Sequence, residues 1–529
     1  MKKNNGSTLK NISTVSSTTV LSRILGFWRD MTFFSFFGTS AMGAAFLLAF
    51  SLPNLFRRLL GEGALSSAIM PVMSSHYVKH GKDSMLRLFS HIILRLLVIF
   101  AVVLICAYGL IALAYGIIAL ISSLLDGPKW NMALKFTALL LPYMVFVCLA
   151  AIVAVVLNLM GRFLVSSVNQ IWMNLSMILS LLIGGYGFGL CGMQLVHCLI
   201  AGVLLGGLIQ LAIPLLAVFM CGWRPQLDPN VPMLKEDMAD VWKLFLPGMF
   251  GAAVEQLNFL ISRTIAYTFS PPAVSLMYLS NRLTELPMGI FGWAIITVFF
   301  PSIAKVVNSK SDTAVINRTF NETLVAMVWI LLPSALGIFL LKKEILSVFF
   351  VHGKFTANDI HQILPIMSVY CISLVFSGIS SLLIRGFHSL KDTKTPARIG
   401  IVVVMANVTF SLIFMKIFNP IGLDIGIRLA LANALATIVQ TICLSTLLKR
   451  KMKGWSIWSE FRNYATIFYG CIWIAAVATS AKIAVGAYCH FGQRTNDTIT
   501  IIVGVTLSAL AYLIANRKLI AKVWASRKV

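Results

Sequence analysis

Blocks of about 20 apolar residues, the length that crosses a hydrocarbon core of roughly 30 Å, recur along this chain with only short polar interruptions. A stretch such as "LLVIFAVVLICAYGLIALAYGIIALI" is apolar on every side. Backbone groups in lipid must be satisfied within a helix or a closed barrel, and barrel strands alternate in polarity over about 10 residues, so these blocks predict helices. With 58% of its 529 residues hydrophobic and 12% charged, the chain lies outside the range of soluble globular domains. The expected fold class is an all-α integral membrane protein with about 14 transmembrane helices, centred near residues 26, 48, 105, 145, 177, 206, 254, 291, 330, 374, 407, 437, 473 and 507. The first block contains Arg23, Arg29 and Asp30 and lacks a small-residue cleavage site, so it reads as a retained span and not as a signal peptide. Nine cysteines are scattered, mostly within apolar blocks, without CxxC or metal-type spacing, and neither a metal site nor a cofactor is expected.

The basic residues orient these spans. With alternate loops on alternate sides, and the 57–87 region taken as a loop on the side of the N-terminus, 29 lysines and arginines fall on that side and nine on the other. The positive-inside rule then places both termini in the cytoplasm. The formal net charge of +25 follows from this asymmetry and from attraction to anionic lipid, so membrane lipids and not nucleic acid are the expected partners. Five arginines, Arg23, Arg29, Arg95, Arg263 and Arg282, remain inside the spans and call for a reason.

The chain repeats itself. "LPYMVFVC" at 141–148 and "LPIMSVYC" at 364–371 share Leu, Pro, Met and Cys in one register. Each is followed by a basic-glycine-aromatic cluster, "MGRF" and "IRGF", and then by an asparagine in the next span, Asn174 and Asn407. The matching spans are the fourth and fifth against the tenth and eleventh, so the unit is six spans, and an even unit gives parallel repeats related about the membrane normal. The expected organisation is one lobe over 1–222, a second over 223–450, and two further spans with a basic tail over 451–529. Two such halves suit alternating access better than a static pore.

A charged side chain at the bilayer centre costs at least about 2.5–3.5 kcal/mol, so those that persist face a water-filled cavity or one another. Arg58 and Glu62 are four apart on one helical face, with Asn54 a turn further back. Arg282 and Glu285 in "NRLTELPMG" are three apart, and Arg23 and Asp30, seven apart, also share a face. Arg29 and Arg57 are expected on other faces or toward the cytoplasmic boundary. Such pairs can simply hold helix register. Four arginines in the first two spans exceed what pairing requires, however, and a surplus of guanidinium groups suits a forked anion such as phosphate or diphosphate. Pro53, Pro287 and Gly289 allow these helices to bend.

"SRILGFWRD" at 22–30, "LPNLFRRLLGEGALSSAIMP" at 52–71, "NRLTELPMGIFGWAIITVFFPSIAK" at 281–305, "HGKFTANDI" at 352–360 and "GFHSLKDTKTP" at 386–396 resemble, in this order, the MurJ (MviN) lipid II flippases of the multidrug/oligosaccharidyl-lipid/polysaccharide exporter superfamily. The resemblance implies two six-helix lobes plus two C-terminal helices that form a groove for a polyprenyl tail. It also implies a bacterial cytoplasmic-membrane transporter, not an enzyme, with undecaprenyl-diphosphate-linked disaccharide-pentapeptide as substrate and proteins of cell-wall synthesis as neighbours. Carried over by position, the substrate-binding residues are Ser22, Arg23, Arg29, Arg57, Arg58, Glu62, Arg282 and Glu285. Two departures stand out: many relatives carry an acid where this chain has Ala44 and a lysine where it has Ser51. For the driving force, the resemblance points to a sodium site for which Glu255, Asn258, Asn407, Asn433 and Thr437 are the candidates, with protons or the membrane potential alone as alternatives. A sister multidrug or polysaccharide-lipid exporter is the rival reading. An intramembrane enzyme on lipid-linked sugars is disfavoured by the lack of an HExxH motif and of paired intramembrane aspartates.

Overall fold

The computed structural model of the chain describes residues 5–61, 64–120, 126–226, 234–297, 303, 313–420, 422–452, 454–489 and 491–517. All regular structure among them is helical, and the chain divides into two compact units, Met1–Tyr267 and Thr268–Val529. Each of the fourteen expected span centres falls inside a helical segment. Nine helices among the described residues are long and apolar enough to cross a membrane.

The first unit contains α1 (Asn5–Phe37), α2 (Ala41–Phe56), α3 (Ala64–Leu120), α4 (Gly127–Leu159), the short α5 (Phe163–Ser167), α6 (Asn169–Leu182), α7 (Gly192–Met220) and α8, which spans Leu234–Phe269. Ser40 caps α2, its hydroxyl accepting from the Gly43 amide. Helix α4 is the centre of the unit and packs against α2, α3 and α7, while α6 packs on α1 and α7. Tyr267 at the end of α8 is fully buried, donates to the Lys129 carbonyl at 2.9 Å and meets the Trp130 ring edge-on.

The 57–87 region, expected as a loop, is helical wherever it is described. The one break in α3 is at Gly81, where φ is +82°, a conformation that favours glycine. Polar residues outside the bilayer remain good helix formers, so the loss of apolar character at the end of a block does not mark the end of the helix. The turn at Gly81 is closed by His76, whose Nε2 lies 2.9 Å from Ser84 Oγ and whose Nδ1 lies 2.7 Å from Asp237 Oδ2 at the start of α8.

The second unit contains α9 (Pro271–Pro287), α10 (Thr313–Phe350), α11 (Ala357–Ser389), α12 (Lys394–Ile417), α13 (Ile425–Lys451), α14 (Phe461–Tyr488) and α15 (Gln493–Ala515). Its packing repeats that of the first: α11, which carries the second Leu-Pro-x-Met motif, packs against α9, α10 and α13, and α12 packs on α13. Asn174 and Asn407, the repeated asparagines, are both buried. The C-terminal pair α14 and α15 pack on each other and on α10. Gly470 permits the close approach, since a Cβ there would lie 2.2 Å from Asn516 Nδ2. Tyr512 donates to the Trp329 carbonyl at 2.8 Å, and Lys482 pairs with Glu344 at 2.9 Å.

The "GFHSLKDTKTP" stretch forms the turn between α11 and α12. Lys391 adopts φ +59°, and Asp392 Oδ1 accepts from the Lys394 and Thr395 amides at 3.1 and 3.0 Å, while its other oxygen binds Lys451 at the end of α13. Partial burial pushes the Asp392 carboxyl upward, but the hydrogen bonds from Lys451 and Thr395 outweigh it and hold it well below the usual carboxylate range. The bond network therefore contributes stability at every pH above the ordinary carboxylate value of 3.8 and loses it as pH falls below that. Asp392→Ala is expected to cost about 1–2 kcal/mol at neutral pH. The check is the thermal midpoint in detergent of variant and wild type at pH 7 and pH 3, the gap narrowing at the lower pH.

Candidate functional site

Both units place their charged residues where a helix leaves α geometry. Leu52-Pro53 lies in the last turns of α2, and Pro53 has no N–H to offer the Ala49 carbonyl, so the ladder is already broken when the wide π turn Arg57–Gly61 begins. Leu286-Pro287 ends α9, and a second π turn, Met288–Gly292, follows at once. These are the second and eighth expected spans, one repeat unit apart. Cys148 of α4 directs its thiol at the Phe56 carbonyl, at 3.7 Å, where the first π turn starts.

Arg57 and Arg58 sit in that first turn. Arg57 donates through Nε to Asn54 Oδ1 at 2.7 Å, so Asn54 meets Arg57 and not Arg58 as the helical spacing suggests. Arg58 is exposed, and its Nη1 lies 3.5 Å from Gln256 Oε1 on α8. Glu62, the expected partner of Arg58, lies outside the described residues.

On α1 the described ion pair joins two neighbours in sequence. Asp30 is 2% exposed and takes two bonds from its neighbour Arg29, at 2.6 and 3.0 Å. Arg29 itself is buried, not turned to the boundary, because α6 packs over it: Nη1 donates to Asn174 Oδ1 at 3.2 Å. The same asparagine donates through Nδ2 to the Ser22 carbonyl at 3.0 Å. Ser22 and Arg29 are two turns apart on one face, and Asn174 bridges them. Arg23 is half-buried on α1.

In the second unit, Arg282 and Glu285 lie on the last turns of α9, both half-buried, and Glu285 Oε1 accepts from Asn281 Nδ2 at 2.9 Å. The structure thus groups Ser22 with Arg29, and Arg57 with Arg58, in the first unit, and Arg282 with Glu285 in the second.

The sodium candidates divide in the same way. Asn258 is half-buried on α8, and the side chain of Glu255 lies outside the described residues. In the second unit Asn407 is buried on α12, and Thr437 Oγ1 on α13 donates to the Asn433 carbonyl at 2.9 Å, a bond within its own helix.

Three residues enter the site that motif reading does not pick out. Asn174 is marked in the sequence only as a repeat landmark. Gln256 carries no signal beyond polarity in an apolar block. Arg263 stands out as an intramembrane charge without a partner four residues away, and the structure supplies one: its Nη1 donates to Ser51 Oγ on α2, which in turn donates to the Leu47 carbonyl. A guanidinium from α8 therefore stands beside Ser51, the position at which the resemblance leads one to expect a lysine.

An all-α chain built on a six-helix repeat, with guanidinium groups set at a broken helix in each unit, has the make-up of a multi-pass membrane transporter. Residues 33–495 match the family model described as lipid II flippase MurJ, and the chain accordingly belongs to the lipid II flippase MurJ family. It is 30% identical over 429 residues to the probable lipid II flippase MurJ of Vibrio cholerae, with 77% of each chain covered. Against the Haemophilus influenzae protein of the same description it is 31% identical over 407 residues, covering 75% of this chain and 78% of the relative. A solved structure of lipid II flippase MurJ in an inward closed conformation shares the fold, with a TM-score of 0.74 at 23% identity over 96% of this chain and 99% of that one. An inward-facing multidrug resistance MATE transporter of the MOP superfamily matches with a TM-score of 0.65 at 13% identity over 82% and 96%.

Proposed function

We propose that this chain is itself a lipid II flippase. In this reading it carries undecaprenyl-diphosphate-linked disaccharide-pentapeptide from the inner to the outer leaflet by alternating access, with both termini in the cytoplasm. Family membership supports the substrate, and the single structural observation that carries the mechanism is the paired arrangement of arginines at the Leu-Pro-π segments of both units. A guanidinium offers two parallel donors to a phosphoryl group. Set beside a π turn, it rides on the part of the helix that bends most readily. In the first unit Arg58 would hold the diphosphate, with Arg23 and Arg57 adding charge and Glu62 as orienting acid; in the second, Arg282 would bind it, with Glu285 in the orienting role. Arg29, locked between Asp30 and Asn174, would shape the wall of the site and hold Ser22 in place.

Depletion of the protein in growing cells is expected to leave the lipid-linked precursor in the inner leaflet and to arrest wall synthesis. Measuring how much precursor is accessible from the outer face decides the matter: an unchanged distribution in depleted cells removes the flippase reading.

A further inference from the structure

We propose that the second unit carries a binding site for the phosphate of a lipid head group, formed by Lys342 of α10 and Lys482 of α14. In the orientation proposed above it faces the outer leaflet, and it uses none of the arginines assigned to transport. Its depth follows from two uncharged runs: α10 carries no charge over 323–341 and α14 none over 463–481, 19 residues each. At about 1.5 Å per residue such a run is about 28 Å long, close to the roughly 30 Å of a hydrocarbon core. The two runs are also in step. Asn321 Nδ2 donates to Ser459 Oγ at 2.7 Å just before them, and 23 residues further along both stretches Lys482 Nζ donates to Glu344 Oε1 at 2.9 Å. Lys342 and Lys482 are the first residues past the runs, so their ammonium groups emerge at one level, where the head-group region begins.

Three features distinguish this pair from lysines that merely stretch their stems along an apolar surface to reach water. Both are half-buried and held by neighbouring side chains. Lys342 donates to Ser368 Oγ of α11, whose own proton goes to the Leu364 carbonyl at 2.8 Å, and Lys482 donates to Glu344 and to the Leu340 carbonyl. Their charge also exceeds the local acid. The two ammonium groups are near enough to repel each other, exposed Lys343 adds a third, and among the described residues Glu344 is the one carboxylate that pairs with any of them. Asp497, at the start of α15, is engaged by Ser347 at 2.5 Å. An anion between two ammonium groups relieves their repulsion, and a phosphate oxygen is a stronger acceptor for Lys342 than the Ser368 hydroxyl. Finally, Lys342 Nζ stands 4.1 Å from the centroid of the Phe339 ring, which is 42% exposed, so the group can be reached from outside the unit. An ammonium is a point charge with rotatable donors, which suits a phosphodiester or a diphosphate alike. The ligand is thus a lipid phosphate, carried by a bilayer phospholipid or by a polyprenyl diphosphate.

The test uses the full-length protein in a maltoside detergent, which brings no phosphate of its own, and counts bound lipids by native mass spectrometry. Phosphatidylglycerol and undecaprenyl diphosphate are the probes, with diacylglycerol and undecaprenol as their uncharged controls. The measurements are made in an Arg58→Ala background, so that an anion site in the first unit does not mask this one. Lys342→Gln and Lys482→Gln are each expected to weaken binding of a phosphate-bearing probe roughly tenfold and to leave both controls unchanged. Loss confined to phosphatidylglycerol identifies a bilayer phospholipid as the ligand, and loss confined to undecaprenyl diphosphate identifies the polyprenyl carrier. Lys416→Gln, which removes an exposed lysine near the end of α12, is expected to bind every probe as the background protein does. Unchanged affinity of Lys342→Gln for both phosphate-bearing probes overturns the proposal. Equal weakening toward the uncharged controls also overturns it, because it marks a packing role, and so does equal weakening by Lys416→Gln, because it marks an effect of net charge. Should Lys482→Gln not fold, Lys342→Gln decides alone, since it leaves the Lys482–Glu344 pair intact.

Discussion

Arg58→Ala and Arg282→Ala are each expected to abolish complementation of a depleted strain while leaving normal amounts of folded protein in the membrane. Arg58 is exposed, and its described bond to Gln256 is a 3.5 Å contact, so its removal strands no buried partner. The stability cost of losing such a contact is about 1 kcal/mol or less. Its value to a bound diphosphate is larger, because a hydrogen bond to a charged group contributes about 1.5–3 kcal/mol and a fork makes two of them. Arg282 stands just before the corresponding break of the second unit, half-buried on the last turns of α9, and its fork has the same value to a bound diphosphate. Lysine at either position restores the charge without the fork and should rescue only in part. Membrane content by immunoblot and growth of the complemented strain are the two measurements. Full growth with both alanine variants removes the arginine mechanism.

Arg29→Ala should fail in a different way, by loss of folded protein. Asp30 is 2% exposed, and the Arg29 guanidinium lies 2.6 Å from it. Deleting one member of a buried pair typically costs about 3–5 kcal/mol, since the other charge stays where water cannot reach it. Against a total stability of about 5–15 kcal/mol that is a large fraction. The variant also strips Asn174 of one of its two bonds across the α1–α6 contact. Replacing both partners, as Arg29→Met with Asp30→Asn, is expected to be milder than Arg29→Ala alone, because no charge is left behind. Thermal midpoints from fluorescence-detected gel filtration in detergent test the order. A single variant as stable as wild type would place Arg29 with Arg58 as a ligand-binding group.

The two sets of expectations rest on different kinds of information. Apolar block length, the excess of basic residues on one side and the Leu-Pro-x-Met repeat are all local or periodic, so they can be read from the chain. The matching packing of α4 and α11 follows from that repeat. The "GFHSLKDTKTP" stretch is visible as a motif, yet its role as a turn held by Asp392 is not, because Lys451 is distant in sequence.

Helical spacing ranks partners within one helix and stays silent about the next one. It relates Asp30 to Arg23 by face and overlooks the adjacent Arg29, which donates twice to the carboxylate and also reaches Asn174 on α6. It pairs Asn54 with Arg58 four residues on, whereas Asn54 accepts from Arg57 three residues on, a neighbour that helical spacing allows equally well. The lysine missing at Ser51 looks like a loss in one dimension, whereas a guanidinium from α8, more than 200 residues further on, stands at the same place. Lipid and the repeat decide which segments become helices, because both act through composition and period. Which charges meet is decided by packing, because a long side chain in a low-dielectric interior binds the nearest acceptor that neighbouring helices bring to it.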